Sequence, residues 1–202
     1  TTKFVPTTEL GFLDGNMFII SCQYDQSQVT ANRTSIPVTL LSTPLCIDPK
    51  GNEGLNSQKT EPTNPLYSLD KQQSSLVYYD KNTIVLTMPY WVKVTNSSVE
   101  DSEVKKHSFV LSYDREAIKD TDTKLKLYIS HVVDDAGETV TRSNFTYAYR
   151  AYSIREALTA FSNKTGKLPK YLELTAQTNN SKDELKEENG ETSVEYDYAF
   201  TE

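Results

Sequence analysis

Only two imidazoles are present in the 202-residue chain. His107 opens one alternating segment, HSFVLSYD, and His131 closes another, LKLYISH. Adjacent antiparallel strands would bring the rings together, and Asp134 and Asp135 follow closely, so a metal centre of two histidines and a carboxylate is one chemistry open to them. The spacing matches no zinc or oxygenase motif, and the reading that weighs more is a pair of strand-end histidines in turns, with no metal and no cofactor. Asp134-Asp135-Ala136-Gly137-Glu138 resembles half a calcium loop without the D-x-[DN]-x-[DN]-G spacing. A turn in which Asp caps amides and Gly137 takes positive φ accounts for it. No serine sits in a G-x-S-x-G elbow, and phosphate loops, dinucleotide fingerprints and metal-spaced cysteines are absent. The 28 Asp and Glu contain carboxylate pairs suited to glycoside hydrolysis, but their pairing is spatial and the sequence singles none out. No catalytic residue is assigned, and the chain reads as a non-enzyme, with a hydrolase the remaining enzymatic alternative.

Aromatic side chains offer the second chemistry, since the chain holds 13 Tyr and 7 Phe. Tyr147, Tyr149 and Tyr152 in NFTYAYRAY, with Tyr196 and Tyr198 in VEYDYAF, would form a stacking platform for sugar rings or a peptide if they faced solvent. Packing inside a sandwich uses the same residues at the same spacing and weighs more. Trp91, the one tryptophan, reads as a core or rim anchor.

The elements that must position these residues are strands. Segments around Met17–Tyr24 and Ile36–Leu40 alternate in twos, with Pro37 implying an edge strand. Gly51–Ser75 is polar and poor in apolar residues, which puts a domain boundary near residue 74. The expected architecture is all-β, with an OB-like small barrel over residues 1–74 and an antiparallel β-sandwich over 75–202. Within the second domain, His107–Tyr152 reads as a three-stranded meander, with Leu111, Leu125, Leu127 and Ile129 on its buried face. Ser153 and Glu156 form a capping-box pattern for one short helix, with Gly166 as its terminator. YLELTA and VEYDYAF then return to period two.

Composition narrows the compartment and the partners. A net charge of −7 argues against nucleic acid, which demands a clustered basic surface. No apolar run approaches the roughly 20 residues of a membrane span. The polar opening TTKFVPTTEL reads as a mature or trimmed N-terminus. Cys22 and Cys46 fall in segments that read as neighbouring strands, leaving a disulfide and two buried thiols as equal alternatives.

Two stretches resemble the NigD-like family. LDGNMFIISCQYDQSQV is similar to the opening of its first domain, and PYWVKVTNSS with KKHSFVLSYD and DTKLKLYISHVVDDAGE is similar to its second. His107, Leu111, Asp114, Leu125, Leu127 and His131 fall on the family pattern, while Ser130, Val132 and Asn16 depart from it. The resemblance implies a cell-envelope lipoprotein of Bacteroidetes, outer-membrane-anchored and periplasmic or surface-exposed. It would touch the membrane only through a lipid anchor preceding residue 1. An accessory or binding role is then expected, the partner being an envelope protein or a glycan.

Overall fold

The computed structural model describes residues 3–7, 17–47, 55–186 and 190–200. The chain is all-β in class and divides into two units, Thr1–Pro49 and Lys50–Glu202.

In the first unit, β1 (Lys3–Pro6) runs parallel to β4 (Ser35–Leu40), and β3 (Cys22–Gln23) pairs antiparallel with the other edge of β4. β2 (Met17–Ile19) pairs separately with β5 (Leu45–Ile47). Ile36, Val38 and Ile47 are buried. No closed barrel forms among the described residues, which corrects the OB-like expectation: the five short strands make a three-stranded sheet and a separate pair. β4 is also a central strand rather than an edge. Its ladder with β3 covers only Thr39 and Leu40, so Pro37, which has no N–H to give, lies outside that pairing. Cys22 is a free thiol. The Cys46 side chain lies outside the described residues, and with it that half of the disulfide question.

The second unit is sandwich-like. One sheet has the order β10-β7-β6, all antiparallel, from β6 (Leu76–Asp80), β7 (Thr83–Val92) and β10 (Asn144–Ser153). The other has the order β12-β11-β9-β8, from β8 (His107–Ser112), β9 (Lys124–Val133), β11 (Tyr171–Gln177) and β12 (Glu191–Asp197). Within it β11 runs parallel to β9, and the remaining pairs are antiparallel. Period-two alternation sends Ile84, Leu86, Met88, Tyr90 and Val92 of β7 into one core with Leu111, Leu125, Leu127, Leu172 and Leu174. The expected three-stranded meander holds for β8 and β9 only. β10 crosses to the other sheet, where it finds a ten-residue register along β7 from Asn144↔Val92 to Ser153↔Thr83.

Two helices complete the described part of this unit. α1 (Asp101–Val104) is a single turn before β8. α2 (Arg155–Thr165) buries Ala157, Leu158, Ala160 and Phe161 and ends at Gly166, whose φ of 74° is the left-handed conformation that glycine tolerates at a helix end. Ile154, not Ser153, is the N-cap, and no side chain caps the helix. Ser153 is instead the last residue of β10, so the capping box does not form.

The division between units falls at Pro49/Lys50 rather than near residue 74 because the polar stretch 55–75 is woven into the second unit. The Asn56 amide donates to Leu111 O, Thr63 N to His131 O, Leu66 N to Gln177 O and Tyr67 N to Pro89 O. Leu55, Leu66 and Leu69, the few apolar residues there, are all buried. The segment satisfies backbone groups along β8, an edge strand otherwise open to pairing.

Tyr152 ties the two sheets together. It is buried, and its hydroxyl donates to Phe109 O of β8 at 2.8 Å. Tyr152→Phe therefore leaves a buried carbonyl short of a donor and is expected to lower stability by about 1 kcal/mol in urea unfolding, with the fold retained.

Candidate functional site

The sequence-selected tyrosines do not form one platform. β10 and β12 belong to different sheets, so Tyr147, Tyr149 and Tyr152 are separated from Tyr196 and Tyr198. Tyr198 is buried and donates to Lys81 O at 2.7 Å. Tyr196 is half-buried and donates to Ser74 O at 2.9 Å, with Lys71 over its ring. Burial raises the phenol pKa of both. These two and Tyr152 are architecture.

Tyr147 and Tyr149 share the outward face of β10 with Phe145, and the register sets Phe145 beside Trp91 and Tyr147 beside Pro89 of β7. Here an aromatic stack is built. The Tyr67 ring lies against Phe145 at 4.2 Å and 18°, and meets Trp91 edge-on at 5.0 Å. Tyr147 stands edge-on to Phe145 at 5.9 Å. Trp91 is the buried anchor, its indole N–H donating to Asn179 O at 2.8 Å. Phe145 and Tyr147 are 41% and 39% exposed, so two rings of fixed orientation face solvent above a buried aromatic base. Sequence reading missed Tyr67, which comes from a polar loop and carries no periodic signal.

The histidines take a different role from the turn residues expected of them. Both are buried, and His107 Nδ1 lies 2.9 Å from His131 Nε2. His131 Nδ1 lies 3.0 Å from Pro65 O. A carbonyl only accepts, so His131 Nδ1 carries the hydrogen. Burial, seconded by His107, pulls the His131 pKa down to about 3. The neutral ring then accepts at Nε2 from His107 Nδ1–H. The remaining nitrogen, His107 Nε2, sits 3.2 Å from Glu103 Oε1, an ion pair only when His107 gains a second proton. Burial pulls that pKa down as well.

Glu103 is the hinge of a larger network. Its Oε1 accepts from the Lys93 amide at 3.0 Å and from Arg142 Nε at 2.7 Å. Burial works against its charge, yet these donors hold its carboxyl below the usual range. Arg142, its side chain 1% exposed, also grips Asp135 with two bonds of 2.9 and 2.7 Å and reaches Asp183 at 3.4 Å. The Arg142 bonds hold Asp135 down to about 2. His131 and Asp135 are thus engaged by other protein groups, while His107 gives its Nδ1–H to His131 and turns Nε2 toward Glu103. Asp134 accepts from the Ala136 amide, as a turn residue does. Among the described residues no group of three or more His, Cys, Asp or Glu is placed to hold a metal. Of the remaining motif positions, Leu111, Leu125 and Leu127 are core, and Asp114 accepts from the Glu116 and Ala117 amides in a turn.

Two outcomes test the network. Removing Arg142 leaves Glu103 and Asp183 as buried carboxylates without their cation, so Arg142→Ala is expected to cost about 3–5 kcal/mol in denaturant unfolding. The neutral His131 sets a pH dependence. The unfolded chain takes up a proton near pH 6.5 that the folded ring refuses until about pH 3. Stability is therefore full above about pH 6.5 and falls as pH drops through that window, by roughly 3 kcal/mol at pH 4.5. Unfolding midpoints measured across this range check it, and a flat profile between pH 7 and 4.5 contradicts it.

No protein-family model matches the chain, and no curated protein does. Among solved structures it is similar to a candidate lipoprotein of Bacteroides fragilis, with 29% identity and a TM-score of 0.75 over 98% of this chain and 88% of that one. It is also similar to an uncharacterised protein from Parabacteroides merdae, at 13% identity and a TM-score of 0.56, covering 96% of this chain and 88% of that. A protein of unknown function from Bacteroides vulgatus aligns at 7% identity and a TM-score of 0.50, covering 98% and 79%. The last two likenesses are of fold alone. Among the described residues no helix is long and apolar enough to cross a membrane.

Proposed function

We propose that this chain is a non-enzymatic accessory module of the bacterial cell envelope that binds a saccharide on the aromatic stack of β7 and β10. The observation that carries the binding role is the ring pair Tyr67/Phe145, stacked at 4.2 Å over Trp91, with Phe145 and Tyr147 left open to solvent. Exposed rings held rigid by neighbours present apolar faces to the C–H face of a sugar at little cost in conformational entropy. Along the same outer sheet face, Val77 and Tyr79 of β6 are 58% and 69% exposed, which extends the surface beyond one sugar ring. A peptide laid across the same rings is the second reading, favoured by the open edge of β10 beside them.

The envelope location draws on the likeness to the Bacteroides fragilis candidate lipoprotein and on the NigD-like resemblance of His107, Leu111, Asp114, Leu125, Leu127 and His131. In this reading a lipid anchor upstream of residue 1 is the membrane attachment, and the net charge of −7 keeps the domain itself off an anionic bilayer surface. Nucleic acid is not a partner for the same electrostatic reason.

Glycan and peptide arrays probed with the purified chain test the binding role. Retention on a glycan set, lost in Phe145→Ala/Tyr147→Ala with circular dichroism unchanged, is the expected outcome; no retention on either array sinks it. Expression of the full-length precursor with a radiolabelled fatty acid tests the anchor, and an unlabelled cytosolic product contradicts it.

A further inference from the structure

We propose that the ligand is an uncharged, extended oligosaccharide several rings long, held in a trough that runs along β7 from Thr83 to the Tyr67/Phe145 stack. This rests on the saccharide reading above and adds the charge, length and shape of the sugar. β7 is the middle strand of its sheet, and alternation turns Thr83, Val85, Thr87, Pro89 and Trp91 away from the core. Val85, Pro89 and Trp91 are buried although they face outward, because taller side chains flank them on both sides. On one side stand Phe145, Tyr147 and Tyr149 of β10, opposite Trp91, Pro89 and Thr87. On the other stand Val77, opposite Val85, and Tyr79. Tyr67 continues that side, since Leu66 bridges Tyr90 and the Tyr67 amide donates to Pro89 O. The trough ends where Tyr67 and Phe145 meet at 4.2 Å beside Trp91. From Thr83 to Pro89 an extended strand covers about 20 Å, several times the length of one sugar ring.

The two outer sheet faces of this unit differ in charge. On β9, β11 and β12 the outward Lys124, Lys126, Glu173 and Glu195 form a ladder, Lys124 pairing with both glutamates and Lys126 with Glu173. That is the ordinary surface of a sheet facing water. The outward positions of β7 and β10, with Val77 and Tyr79, hold no charged residue, in a chain of which 24% is charged. An anionic sugar would find no cation there, and a cationic peptide no carboxylate. An uncharged chain is the occupant that gives up no ion solvation on entry.

The polar groups of the trough are hydroxyls. Ser75 Oγ donates to Thr87 Oγ1 at 3.0 Å midway along it, and each can also exchange hydrogen bonds with a ligand hydroxyl. A lipid tail would leave that pair unmatched. A sugar meets it with hydroxyls while its C–H faces lie on the flanking rings. The trough follows a single strand without a turn, which suits the straight chain of a β-linked glucan or mannan rather than the coil of an α-linked one.

The test is calorimetric titration of the whole chain with cellobiose, cellohexaose and mannohexaose, using maltohexaose and an oligogalacturonate as comparison ligands. Both β-linked hexasaccharides are expected to bind, cellohexaose at least about tenfold tighter than cellobiose and with little dependence on salt. Val77→Ala/Tyr79→Ala, which alters side chains 58% and 69% exposed and so spares the fold, should cancel most of that gain. Lys126→Ala on the other sheet should bind as the parent does. Equal affinity for cellobiose and cellohexaose, or equal or tighter binding of maltohexaose or oligogalacturonate, overturns the proposal. So does a full gain with length in Val77→Ala/Tyr79→Ala. Absence of hexasaccharide binding while another glycan is retained on the array overturns this proposal alone, whereas failure of every glycan overturns the saccharide reading as well.

Discussion

A guanidinium taken out of water must be surrounded by acceptors, and the loop end of the second unit is arranged to meet that demand at Arg142. The side chain is 1% exposed and bonds Glu103, Asp135 and Asp183. Glu103 comes from the single turn α1, Asp135 from the turn after β9, and Asp183 from the connection between β11 and β12. Asp183 also accepts from Asn64, and Glu103 meets His107, which leads through His131 to the Pro65 carbonyl. One cation thus sets the position of several connections that lack regular structure. A hydrophobic cluster of the same volume supplies contact alone, whereas ionic groups fix direction as well. The connections sit in one arrangement because the fork of the guanidinium allows few others.

That arrangement supports the neighbouring aromatic surface. Lys93, whose amide is held by Glu103, follows directly on β7, and Trp91 of β7 donates to Asn179 O. Tyr67 lies just beyond Pro65 and is fixed by its own amide bond to Pro89 O. The rings that face solvent are therefore placed by buried polar bonds as much as by stacking. Rigid placement of this kind lets an exposed ring contribute contact area with little ordering on binding.

Much of the local structure was legible. Leu125, Leu127 and Ile129, and later Leu172, Leu174 and Ala176, alternate so regularly that strand type and buried face followed from period two. Gly166 marked the end of α2 for the same local reason. What could not be read was partnership over distance. β10 pairs with β7 rather than β9, and both choices satisfy the alternation in NFTYAYRAY equally. Residues 55–75 hold too few apolar side chains to announce that each is buried and that the backbone pairs with four strands. Arg142 sits in a polar stretch, where an arginine ordinarily faces water. Tyr152 and Tyr198 looked like ligand platforms because the carbonyls that receive their hydroxyls, Phe109 O in β8 and Lys81 O in the turn after β6, lie far away in sequence. The short alternating segments around Met17–Tyr24 and Ile36–Leu40 suggested a barrel, yet of the five strands described in the first unit only three join one sheet.

The pairing of β9 with β11 is the one parallel pair of strands in its sheet among the described residues, and it bears on the loop entropy the chain must overcome to assemble. Between those strands the chain leaves for the opposite sheet as β10 and returns through α2. Two parallel strands separated in this way close a long loop before any ladder bond compensates its entropy. The hairpin of β8 and β9 and the antiparallel pair of β6 and β7 need no such closure, so they are the natural early structures. On topology alone, closing β11 onto β9 carries a larger loop entropy than forming the β8–β9 or β6–β7 hairpins, so the parallel pair is the contact with the greatest closure cost in this sheet.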